Sequence, residues 1–237
     1  MSILPTQPSQ NPTITPSAIT GLVLAGGRGS RMGGVDKGLQ IFDGKPLALH
    51  ALQRLQSGAG LGAYLLNANR NLEAYQAFGA PVCADAVGDF AGPLAGFLAG
   101  LEACTTPYLL TVPCDTPLFA SDLVLRLAHA LQTSGADLAM PSAPEAEGQG
   151  QGQMRMRLQP VFCLMHTRVA PGLRRYMQEG GRKIDTWFSQ QGGVQVPFDL
   201  PGDDPHAFFN LNTLDELAQA QGLVDSSAPV DRSSLGL

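Results

Sequence analysis

The sequence predicts an α/β fold with a doubly wound, mostly parallel sheet. Three observations lead there. Short apolar runs alternate with helix-period segments through the first half of the 237-residue chain. One run, Tyr108 to Val112, is aromatic, aliphatic or β-branched throughout and bounded by prolines, the pattern of a central strand covered on both faces. Another, Gly21 to Leu24, feeds a glycine-dense stretch, A-G-G-R-G-S-R-M-G-G-V-D-K, that carries Arg28, Arg31 and Lys37. Glycine has no Cβ, so it takes positive φ readily and lets a ligand oxygen approach the main chain, where successive N–H groups form an anion-binding concavity.

Taken in order, Leu39 to Phe42 is a short apolar piece and Asp43-Gly44 a turn signal. Leu47, Leu49, Leu52 and Leu55 then predict a helix that opens at Lys45-Pro46, with proline in the first helical position, and ends near Gly58. Ala63 to Asn67 reads as a strand running into N-A-N-R, and Pro81 to Asp85 as a second short run ending in an acid. Pro93 to Cys104 is a helix of small residues whose glycines permit close packing. After the strand at 108–112 comes P-C-D-T-P, then a helix from about Ser121, a plausible cap, to Gln132. A strand follows over Ala136 to Pro141, and the polar segment E-A-E-G-Q-G-Q-G-Q, 145–153, reads as a surface loop. Leu158 to Leu164 and Val194 to Phe198 are further strands, Pro171 to Gln178 and Ile184 to Gln190 helices. Thr213 with Glu216 three residues on is a capping box for a closing helix. Longer connections in this half admit antiparallel strands.

The ordered chain is expected to be one domain over residues 19–223, between a Pro-, Ser- and Gln-rich tail at 1–18 and a second flexible tail at 224–237. With 44% hydrophobic and 15% charged residues it can bury a large core. A net charge of −5 argues against nucleic-acid or anionic-membrane surfaces, and no apolar run reaches the roughly eighteen residues a membrane helix needs. Cys83, Cys104, Cys114 and Cys163 lack metal or redox spacing and are expected as reduced core residues of a cytoplasmic protein.

The loop matches neither common phosphate fingerprint. Met32 stands where the third glycine of G-x-G-x-x-G belongs, and Asp36 rather than glycine precedes Lys37, with Gly38 in place of the Walker-type Ser or Thr. Asp115 is expected at the carboxyl end of a core strand, on the sheet edge that carries the loop, and Asp85 on the same edge. A carboxylate facing a polyphosphate loop suits Mg²⁺, which takes one or two carboxylates with phosphate oxygens and waters. Metal, Arg31 and Lys37 together point to nucleotidyl transfer, because they neutralise charge on the α-phosphate and the leaving pyrophosphate. Plainer roles compete: Asp115 as a helix cap, Asp85 as a structural acid, Asn67 and Asn69 as turn residues, Asn210 and Asn212 as a lead into the last helix. The four histidines share no spacing.

L-A-G-G-R-G-S-R-M-G-G-V-D-K-G-L, G-K-P-L, N-A-N-R, G-P-L-A-G, V-P-C-D-T-P and F-F-N-L-N-T, in this order from Gly21 to about Ala220, resemble the MobA-type molybdenum cofactor guanylyltransferases. The resemblance implies a nucleotide-diphospho-sugar transferase-like, Rossmann-like fold that transfers GMP from Mg-GTP to Mo-molybdopterin, giving the guanine dinucleotide and pyrophosphate. It further implies that Leu24, Ala25, Gly26 and Gly27 line the nucleotide, that Lys37 contacts the triphosphate, that Asn67 and Asp85 help bind the nucleotide, and that Asp115 binds nucleotide and Mg²⁺. Arg31 matches the arginine of the first motif, and Asn210 and Asn212 match a pair on the pterin side. Molybdopterin-supplying enzymes and molybdoenzyme apoproteins are the implied partners. Gln159-Pro160 departs from the His-Pro pair often found on the pterin side.

The rivals are a cytidylyltransferase acting on the same pterin, a sugar-1-phosphate nucleotidylyltransferase, and a non-catalytic GTP- or cofactor-binding protein. Gly26-Gly27 favours guanylyl transfer, since the cytidylyl relatives resemble L-A-A-G there and lack the P-C-D form.

Overall fold

The computed structural model describes residues 13–27, 36–85, 92–146 and 154–211. Its strands are β1 (Ile19–Leu24), β2 (Ile41–Phe42), β3 (Lys45–Pro46), β4 (Ala63–Asn67), β5 (Val82–Cys83), β6 (Tyr108–Pro113), β7 (Leu138–Ala146), β8 (Met154–Leu158), β9 (Cys163–His166) and β10 (Val194–Pro197). Its helices are α1 (Leu47–Ser57), α2 (Leu72–Gln76), α3 (Pro93–Ala103), α4 (Leu123–Ser134), α5 (Ala170–Gln178) and α6 (Ile184–Gln190). The main sheet runs β10-β7-β9-β6-β1-β4-β5, with β8 paired to the distal half of β7.

Strand β1 sits between two parallel partners, Val23 lying beside Leu66 of β4 and Val112 of β6. The chain builds outward from β1 to β4 and β5, then crosses through α3 to β6 on the other side. The switch point therefore lies between β1 and β6, where a ligand crevice forms at the carboxyl ends of the strands. Alternation along β1 covers both faces. Ile19 and Val23 pack into a core with α1 and α4, and Leu22 joins Phe97, Trp187 and Met177 of α3, α6 and α5. The sheet is thus doubly wound and mostly parallel. Its antiparallel members are β9, set between β6 and β7, and β8, on the distal half of β7.

Close packing of α3 on β1 depends on its two glycines. A Cβ at Gly100 would lie 2.3 Å from Leu22 Cδ2 and 3.0 Å from Leu109 Cδ2, both on fully buried side chains. Gly100→Ala should therefore cost about 1–3 kcal/mol through overpacking. The expected result is a melting temperature lowered by about 2–4 °C per kcal/mol, measured by thermal unfolding.

Several boundaries differ from the sequence reading. Pro46 is the N-cap of α1 rather than its first helical residue, and α4 starts after Asp122, with no side-chain cap from Ser121. The expected strand at 158–164 divides into β8 and β9 around a turn at Gln159–Phe162, because Pro160 has no N–H for the ladder. Strand β7 runs past Pro141 to Ala146. Pro141 gives up only its donor, and its carbonyl still accepts from the Gln159 N–H at 2.9 Å. Helix α2 is one turn long and carries no periodic signal that a sequence reading could detect. Residues just ahead of β1, expected in the tail, include a 3₁₀ turn at Pro16–Ala18 and Ile14 packed on the core. The capping box at Thr213, most of the 145–153 loop, residues 1–12 and the 224–237 tail lie outside the described residues.

No helix among the described residues is long and apolar enough to cross a membrane. Cys114 and Cys163 are buried, Cys83 and Cys104 half-buried, and all four are free thiols. Burial pushes the Cys83 thiol up to about 11 and also raises those of Cys114 and Cys163, so they stay protonated at neutral pH.

Candidate active site

The crevice at the β1/β6 switch point gathers most of the predicted residues. Leu24 ends β1, and its carbonyl accepts from the Cys114 N–H at 3.1 Å, tying the exit of β1 to that of β6. The next residue, Ala25, donates its N–H to the Asn67 carbonyl at 2.8 Å, tying the same exit to β4. Three strand ends are thereby locked together where the loop departs.

On the β6 side, the Lys37 Nζ donates to Asp115 Oδ2 at 2.7 Å. The two side chains are separated by 78 positions in sequence and are 20% and 22% exposed, so the pair is partly sheltered yet open to a ligand. Thr116 Oγ1 donates to Asn210 Oδ1 at 2.6 Å, and the Leu211 N–H to the Asp115 carbonyl at 2.8 Å. These bonds bring the carboxyl-terminal segment against the P-C-D-T-P turn, and Asn210 lies beside Asp115 as a result.

On the β4 side, Asn67 is 2% exposed and donates from Nδ2 to Asp85 Oδ1 at 2.9 Å and to the Cys83 carbonyl at 3.2 Å. Asn69 donates to Asp85 Oδ2 at 2.8 Å and to the Gly26 carbonyl at 3.3 Å, and accepts from the Asp85 N–H at 2.8 Å. Both carboxylate oxygens of Asp85 are thus oriented by amides, each with acceptor capacity left for a ligand N–H. The turn-residue reading of these asparagines is replaced by a carboxylate clamp.

The two glycines at the loop entry do not use the left-handed conformation that glycine allows. Neither Gly26 nor Gly27 has positive φ. Gly26 is required by its neighbours, since a Cβ there would meet Asn69 Nδ2 at 2.7 Å and Asn67 Oδ1 at 2.9 Å. Among the described residues nothing lies within 4 Å of where a Gly27 Cβ would be. From the opposite side, Gly96 lets α3 close on the clamp, a Cβ there falling 2.6 Å from Asn67 Oδ1.

Leu24, Ala25, Gly26, Gly27, Lys37, Asn67, Asp85, Asp115 and Asn210 are therefore brought to one crevice, while Arg31 and Asn212 lie outside the described residues. Sequence reasoning missed Asp36, Arg70, Tyr75 and Thr116. The signal for Asn69 was present, because N-A-N puts Asn67 and Asn69 two positions apart at a strand end. None of the described histidines contributes; His166, for example, packs against Tyr108 at the far end of β6 and β9.

A MobA-like NTP transferase domain matches residues 21–194. A protein of Acidovorax sp. (strain JS42) named molybdenum cofactor guanylyltransferase is 62% identical over 205 residues, 86% of this chain and 96% of its own. A protein of the same name from Ralstonia nicotianae is 57% identical over 206 residues, 87% and 97% of the two chains. The crystal structure of molybdopterin-guanine dinucleotide biosynthesis protein A from Archaeoglobus fulgidus superimposes with a TM-score of 0.67 at 21% identity, covering 87% of this chain and 99% of that one, which supports the fold. The chain belongs to the MobA-like NTP transferase family.

Proposed function

We propose that this protein transfers GMP from Mg-GTP to Mo-molybdopterin, forming the guanine dinucleotide and pyrophosphate. The observation that carries the reading is the Lys37–Asp115 pair at the switch point, next to the strand end from which the glycine-rich loop departs. A cation and a carboxylate so placed are what a triphosphate with its metal requires. A terminal phosphate oxygen of the pterin attacks the α-phosphorus, and the bond from that phosphorus to the α,β-bridging oxygen breaks. Pyrophosphate leaves with the electron pair. A phosphate nucleophile is already ionised at neutral pH, so positioning rather than a protein base makes it competent.

The donor set fits a metal that arrives with its substrate. Among the described residues no group of three or more His, Cys, Asp or Glu could cage an ion, whereas the single carboxylate of Asp115 suits Mg²⁺ shared with phosphates and water. Asp115 would hold it. When bound, such an ion supplies charge neutralisation at the phosphoryl oxygens. Lys37 supplies a point charge toward the same phosphates, and the Asn67–Asn69–Asp85 clamp presents fixed acceptors. Guanine carries adjacent N1–H and N2–H donors, which complement a carboxylate better than the mixed edge of cytosine. The reading places the reaction in the cytoplasm, with molybdopterin-supplying enzymes before it and molybdoenzyme apoproteins after it.

The test is pyrophosphate release by the purified protein with GTP and Mo-molybdopterin. Release should require both substrates and stop with EDTA. Release with a sugar 1-phosphate in place of the pterin would overturn the acceptor, and GTP binding with no release would favour a carrier.

A further inference from the structure

Residue 36 precedes the lysine of the site, and its carboxylate is turned away from the crevice into protein. Asp36 is 7% exposed. Its Oδ1 accepts from the Tyr75 hydroxyl at 2.6 Å and its Oδ2 from Asn71 Nδ2 at 2.9 Å, with Arg70 Nε 3.7 Å from the same oxygen. Tyr75 is fully buried in α2. Burial foremost, then its bond to Asp36, raises the phenol well above its ordinary value, so it stays an O–H donor. The same hydroxyl lies against Gly38, where a Cβ would fall 2.4 Å from the tyrosine oxygen and 3.0 Å from Ala25 Cβ. Lys37 is thus held between two residues that both rest on Tyr75.

Segment 67–75 also grips the other end of the loop. Asn69 donates to the Gly26 carbonyl, and Arg70 Nη2 to that of Gly27 at 3.2 Å. Arg70 thereby reaches both ends of the glycine-rich loop. Helix α2 sends Tyr75 into the core, and the polar bonds of segment 67–75 converge on the residues that enter and leave the loop.

We infer that Asp36 and Tyr75 are a positioning pair that fixes the main chain from which Lys37 reaches the triphosphate. The inference rests on the nucleotidyl-transfer reading. It extends that reading to residues that touch no substrate and act through Lys37.

The experiment compares the wild type with Tyr75→Phe, Asp36→Asn, Asn71→Asp and the Asp36→Asn/Asn71→Asp double variant. Steady-state pyrophosphate release gives kcat and KM, and titration gives affinities for GTP and GMP. A misplaced lysine should lower kcat by about 10- to 100-fold in Tyr75→Phe. It should weaken GTP binding while leaving GMP binding, which does not need the β- and γ-phosphates, within about twofold. Asp36→Asn leaves one acceptor oxygen for the two donors of Tyr75 and Asn71 and should behave alike, and the double variant, in which residue 36 can accept from Tyr75 and donate to the new carboxylate at 71, should recover activity. Wild-type kcat in Tyr75→Phe, parallel losses of GTP and GMP affinity, or no recovery in the double variant would each overturn the pair. If Tyr75→Phe does not fold, the Asp36/Asn71 exchange decides. Wild-type turnover is the separate control for the reaction, and the variant ratios are taken with whichever triphosphate the wild type uses.

Discussion

Asp115→Ala is expected to lower pyrophosphate release by about 10²- to 10³-fold, the scale of losing a preorganised electrostatic contact in the transition state. Asp115→Asn should fall nearly as far, because charge rather than shape is what the phosphates and their metal require. Neither change should unfold the protein. The main-chain carbonyl of residue 115 keeps its bond from Leu211 whatever the side chain, and the partly exposed ion pair with Lys37 contributes about 1 kcal/mol or less. Steady-state kinetics beside thermal unfolding separates the outcomes: lost turnover with a melting temperature within about 4 °C of the wild type supports the assignment. Retained turnover would leave Asp115 as a structural partner of Lys37 alone.

The second large effect is expected at Gly26. An alanine methyl there cannot coexist with Asn67 Oδ1 and Asn69 Nδ2 in place, and both amides orient Asp85. Gly26→Ala should therefore disturb the whole clamp, lowering kcat/KM for GTP by about 10- to 100-fold. Titration with GMP should show the loss as well, in contrast to Tyr75→Phe, because the clamp lies on the β4 side rather than the Lys37 side. Unchanged GMP affinity would show that the clamp is not part of the nucleotide site.

What the sequence made legible was whatever local pattern alone determines. The run at 108–112 and its prolines placed β6 at the centre, and Asp115 followed at its end. Alternating strands and helices gave the winding, and P-L-A-G-F-L-A-G foretold the close packing of α3. The misses have physical causes. Helix α2 is too short to show a period, so Tyr75 carried no sign of its role, and the Asp36–Tyr75 contact spans 39 positions. Strand β7 continues through prolines that a propensity argument takes as stops, because a proline in a ladder loses only its donor. The side-chain clearance that requires glycine at 26 depends on residues more than forty positions away, which no local pattern shows.

Transfer of a guanylyl group to a pterin phosphate can be followed with α-phosphorus-labelled nucleotides. With GTP, CTP, ATP and UTP supplied separately alongside Mo-molybdopterin, label should enter the pterin from GTP, with pyrophosphate released in equal amount. Label entering preferentially from CTP, or from no nucleotide while GTP is still bound, would contradict it.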